Sequence, residues 1–82
     1  MTPAHESTAR GIVREIWRRR RQGQACPLVV TACDSVIGWI KTIGVPEGGT
    51  VYGVAGASMG PGEFDIAPAE ESKLPEGAKR FR

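Results

Sequence analysis

Ala9, Ile12, Val13, Ile16 and Trp17 recur at steps that place them on one stripe of a 3.6-residue helix. Thr2 followed by Pro3 is a start signal: a hydroxyl cap, then a residue whose missing N–H costs nothing at the first helical position. Ser7 is a second candidate cap. Arginines at 18–21 suit the negative end of the helix dipole, and Gly23 is a suitable stop. The pattern predicts an amphipathic N-terminal helix.

From Cys26 to Cys33 the period changes. Cys26-Pro27-Leu28-Val29-Val30-Thr31-Ala32-Cys33 is short, rich in β-branched residues and apolar on both faces. It reads as a buried central strand, with Pro27 at its start where a missing donor is tolerated.

Residues 34–45 fit two periods. As a helix, Asp34 or Ser35 caps the segment, Val36, Ile40 and Ile43 line one face, and Gly44 closes it. As a strand, Ile37, Trp39, Ile43 and Val45 alternate with smaller or polar residues. Valine, isoleucine, threonine, tryptophan and a mid-segment glycine are poor helix formers, which favours the strand. Pro46-Glu47-Gly48-Gly49 then becomes a hairpin turn into Thr50-Val51-Tyr52-Gly53-Val54-Ala55.

Glu63-Phe64-Asp65-Ile66-Ala67 alternates and is a candidate last, edge strand. From Pro68 the chain is polar, with no apolar period, and an extended or mobile tail is expected. The architecture is α+β: one N-terminal amphipathic helix on a small, mostly antiparallel sheet of three to four strands. Residues 1–67 form the compact domain and 68–82 the tail. A helical 34–44 would instead join its flanking strands as a parallel βαβ unit.

At 82 residues the core is small, and there is little room for a deep active site. No apolar run is long enough to span a membrane, and the first residues lack the pattern of a signal peptide, so the chain reads as cytoplasmic. Cys26 and Cys33 then read as buried thiols.

Charge changes the picture more by distribution than by total. The net is +2, but residues 1–21 carry six arginines against Glu6 and Glu15, a local +4. Residues 63–76 carry Glu63, Asp65, Glu70, Glu71 and Glu76 against Lys73, a local −4. Arg10, Arg14, Arg18 and Arg21 form one ridge of the first helix. Arg19 and Arg20 widen its positive end, and Trp17 lies at its border. Arginine binds oxyanions in pairs and stacks on aromatic faces, so the ridge suits phosphates or an acidic protein surface. The plainer reading is a solvated face that partly neutralises the acidic segment of the same chain.

Other motifs carry less. The glycine-rich stretch 53–62 lacks the Gly-Lys-Ser/Thr ending of a phosphate loop and is not GxGxxG. His5 is the single histidine, and with two cysteines separated by six intervening residues it makes no zinc set. A triad of Ser35, His5 and Asp34 fails, because adjacent strand residues point to opposite faces. The acidic residues are expected to be exposed, a poor start for acid–base chemistry. Trp17, Trp39, Tyr52 and Phe64 are expected in the core, and any exposed one is a binding anchor.

These readings point to a non-enzymatic protein, without cofactor or metal, that docks on a macromolecular partner, a protein or nucleoprotein complex. The expected interface is Arg10, Arg14, Arg18, Arg19, Arg20, Arg21 and Trp17. Size and composition fit an inhibitor or adaptor of a larger machine, such as a phage or mobile-element anti-defence protein. The alternative is direct nucleic-acid binding through the same ridge, though no base-reading motif accompanies it. The third is an enzyme, which would need a pocket lined by Asp34, Ser35 or Glu63. A homodimer pairing the +4 helix with the −4 segment across a two-fold axis is also compatible with the sequence.

Overall fold

A computed structural model describes residues 3–24, 26–46 and 50–81. In chain order these form helix α1 (Pro3–Arg21), strand β1 (Leu28–Ala32), helix α2 (Asp34–Ile43), strands β2 (Val51–Ala55) and β3 (Phe64–Pro68), a single 3-10 turn at Glu71–Lys73, and the short strand β4 (Lys79–Arg80). The sheet order is β3-β1-β2-β4. β1 pairs parallel with β2, and the flanking strands β3 and β4 pair antiparallel with β1 and β2. The α+β class therefore holds, on a mixed sheet with two helices on one face.

The N-terminal stripe builds α1 as the spacing predicts: Ala9, Ile12, Val13 and Ile16 are buried. The helix begins at Pro3; the proposed cap Thr2 lies outside the described residues. It ends on Gly23, whose φ of 86° is open to glycine at little cost. The Gln24 N–H donates to the Arg19 carbonyl and the Gly23 N–H to the Arg20 carbonyl, the paired closure of a Schellman turn.

Residues 34–43 correct the preferred strand reading: they are helix α2. Each β-branched residue costs a helix at most about 0.7 kcal/mol relative to alanine. Folding as a helix buries Val36, Ile37 and Ile40 in the core, at roughly 1.5–3 kcal/mol for each large side chain. It also makes β1 a central strand, paired on both edges and covered by helices on its inner face. Asp34 stands in the first turn, Gly44 at φ 94° ends the helix, and the Gly44 N–H donates to the Ile40 carbonyl at 2.8 Å. The segment after α2 is thus a helix-to-strand connection and not a hairpin; residues 47–49 of the expected turn lie outside the described residues.

One cluster joins both helices to the inner sheet face: Ala9, Ile12 and Ile16 of α1, Val36 and Ile40 of α2, Leu28, Val30 and Ala32 of β1, and Val51 of β2. Phe81 is part of it, only 6% exposed. The sequence predicts an extended or mobile tail from Pro68; the structure returns the end of that stretch to the sheet through β4 and Phe81. Among the described residues no helix is long and apolar enough to cross a membrane.

Candidate docking surface on the first helix

The buried stripe of α1 fixes which side chains face out. At about 100° per residue, Arg10, Arg14, Trp17 and Arg21 fall within a sector of roughly 60°, beside the stripe. Arg18 and Arg19 turn away toward Glu15. Trp17 is 47% exposed, which corrects the expectation that it is a core residue; Phe64, on edge strand β3, is equally exposed. Trp39 packs against the core and Tyr52 is half-buried.

The six arginines divide by partner. Arg10 pairs with Glu6 at 2.8 Å. Arg18 grips Glu15 with two bonds of 2.6 and 2.7 Å, and Arg19 donates to the same carboxylate at 2.8 Å. Arg20 is turned inward on backbone: it donates to the carbonyls of Gln24 at 2.6 Å, Cys26 at 3.1 Å and Thr50 at 3.2 Å. Its Nε is buried without a partner among the described residues. Arg20 thus ties the end of α1 to the approaches of β1 and β2. Arg14 and Arg21 are exposed, and among the described residues neither has an ion-pair or hydrogen-bond partner. They flank Trp17 at i−3 and i+4, so an exposed indole sits between two uncommitted guanidinium groups.

Every ion pair among the described residues is local, and none joins α1 to the acidic stretch 63–76. The reading of the ridge as internal neutralisation therefore has no ion pair behind it.

Glu15 is held well below the usual carboxylate range. Hydrogen bonds from Arg18, then Arg19, bring its pKa from 4.5 to about 2. A folded-state pKa below the unfolded one means stability present above pH 4.5 and lost as pH falls toward 2. The side chains are solvent-accessible, so the contribution is small. We expect a wild-type melting temperature slightly above that of Glu15→Gln at neutral pH, with the two curves meeting near pH 2. Parallel curves across the whole range would contradict the pairing.

The outer face of the sheet carries a groove that the sequence reading missed. It has a volume of about 590 Å³ and is lined by Val29 and Thr31 of β1, Asp65 and Ala67 of β3, and Glu70, Lys73 and Pro75 of the following segment. Two signals pointed to it: β1 is apolar on its outer as well as its inner face, and Asp65 alternates with the inward Ile66. Asp34, Ser35 and Glu63 do not line this groove. Cys26, expected to be buried, is exposed on its rim, and Cys33 is half-buried. Among the described residues no three His, Cys, Asp or Glu side chains converge as a metal site. The chain matches no protein-family model, and comparison with curated proteins and with solved structures finds no match.

Proposed function

We propose that this protein acts by binding, docking on an acidic macromolecular surface, a protein or nucleoprotein, through the Arg14–Trp17–Arg21 ridge of α1. The observation that carries the reading is the half-exposed Trp17 between two arginines that have no partner among the described residues. Tryptophan and arginine are among the residues most enriched where binding energy concentrates. Arg10 extends the ridge, partly spent on Glu6. An 82-residue chain using such a ridge would act by occluding or bridging its target, as an inhibitor or adaptor does.

The test is a pair of variants, Arg14→Gln with Arg21→Gln, and Trp17→Ala. Exposed charges contribute about 0–1 kcal/mol each, so the double variant should melt close to wild type. Each change at the centre of an interface should cost about 2 kcal/mol or more in binding. A tagged wild-type protein is expected to retain a partner that both variants lose; equal retention by all three ends the proposal.

Nucleic acid is the competing partner, favoured by the same exposed indole, on which a base can stack. A mobility shift at low salt that weakens with a log–log slope of about −0.9 per phosphate contact on duplex DNA would assign the ridge to it.

A further inference from the structure

Residues 1–21 carry +4 and residues 63–76 carry −4, yet no ion pair joins them among the described residues. The acidic stretch forms one wall of the sheet-face groove. Asp65 and Glu70 stand on that wall above a floor that includes Val29 and Ala67. Lys73 is also there, held by Glu70 at 3.7 Å, so the wall keeps an excess of negative charge. The α1 ridge is its complement: an exposed apolar ring flanked by two positive groups with no partner among the described residues.

We infer that the α1 ridge of one molecule docks in the sheet-face groove of a second copy of this chain, Trp17 over the apolar floor and Arg14 and Arg21 against Asp65 and Glu70. This rests on the reading of the ridge as a docking surface and adds one specific occupant to it. The dimensions agree. Arg14 and Arg21 are about 10 Å apart along the helix axis. Asp65 and Glu70 are at most about 17 Å apart along an extended chain, a difference the arginine stems can span. A groove of about 590 Å³ has room for an indole.

The symmetry also follows. Groove residues Val29, Thr31, Asp65 and Ala67 share the strand faces opposite Leu28, Val30 and Ala32, which bury against the helices. Ridge and groove therefore lie on opposite layers of a molecule measuring 32 × 26 × 18 Å. Two copies cannot satisfy both contacts through one reciprocal interface, so the association is head to tail and not the two-fold pairing the sequence suggested. An acidic partner competes for the same ridge, so self-association holds the docking surface covered until that partner displaces it.

The experiment uses two full-length variants, each with one half disabled. Asp65→Lys with Glu70→Lys removes the groove's charge and leaves the ridge. Arg14→Gln with Arg21→Gln removes the ridge's charge and leaves the groove. Light scattering should show wild-type mass rising with concentration past a dimer at low salt. Association should weaken at least about tenfold between 0.05 and 0.5 M salt, as the Debye length shrinks several-fold. Trp17→Ala should weaken it at least about 30-fold. Each half-disabled variant alone should be monomeric, and an equimolar mixture should form a 1:1 complex and stop there. Should the lysine pair unfold the protein, Asp65→Asn with Glu70→Gln is the substitute. Monomeric wild-type protein at millimolar concentration, a closed dimer, or association that survives the groove variant overturns the inference. The groove variant keeps its ridge and so should still capture an external partner, which separates failure here from failure of the proposed function.

Discussion

Replacing Phe81 with alanine is expected to cost about 3–5 kcal/mol and to leave much of the protein unfolded at room temperature. The ring is 6% exposed and belongs to the core cluster with Ile12, Ile16, Val36 and Ile40. It follows a strand of only two residues, and the Phe81 N–H donates to the Val51 carbonyl at 2.8 Å. Its seat is provided by Gly53: a Cβ built there would lie 2.6 Å from the Phe81 Cζ, closer than carbon atoms approach. Gly53→Ala should therefore be destabilising in the wild type and much less so, or favourable, once Phe81 is alanine. That non-additivity distinguishes a packed ring from a general weakening of the domain. Denaturant melts of the two single variants and the double variant check it. A Phe81→Ala protein that melts with wild type would return the chain end to the mobile tail its polarity suggests.

The elements legible in the sequence are those whose signal is repeated. Five apolar positions at helical spacing define α1, and an unbroken β-branched run defines β1. The alternation at Glu63–Ala67 places β3 within one residue of its observed span. Where one residue carries the information, the pattern is silent. Phe81 is a lone aromatic in a polar stretch, and two residues of β4 have no period to detect. Residues 34–43 mislead for another reason. Their local preference is for strand, and it loses to burial against α1 and to the need to cover β1, neither of which is local.

The candidate surface was legible as a ridge but not in its division of labour. Spacing groups Arg10, Arg14, Arg18 and Arg21, because it counts turns of a helix. It does not register that Glu15 sits three and four residues before Arg18 and Arg19 and spends both of them. Trp17 lies at the margin of the apolar stripe, where a side chain can face the core or the solvent, and spacing alone does not decide between them. The groove on the outer face needs strands distant in sequence to come together, so Asp65 and Glu70 read only as a charge run.

Arg20 and Arg14 are the same residue type on the same helix, and their alanine variants should behave oppositely. Arg20→Ala is expected to lose about 2 kcal/mol or more. It removes charge-assisted hydrogen bonds to three carbonyls, each worth about 1.5–3 kcal/mol before allowing for non-additivity and partial exposure. Water can reach part of this site, and the unpartnered Arg20 Nε is a cost that the variant relieves, so the lower end of the sum is the better expectation. For a domain of 60–100 residues, about 2 kcal/mol corresponds to a melting temperature lowered by roughly 8–16 °C. Arg20→Lys should recover little, since one ammonium on a flexible stem cannot replace a planar fork that reaches Gln24, Cys26 and Thr50 together. Arg14→Ala, with no partner among the described residues, should melt within about 1 kcal/mol of wild type. In binding the order reverses: at a temperature where both are folded, the Arg20 variant keeps its partner and the Arg14 variant loses affinity. Thermal melts and partner capture on the same two preparations decide it. A stable Arg20→Ala beside an unstable Arg14→Ala would show that the structural and the docking arginines are interchanged.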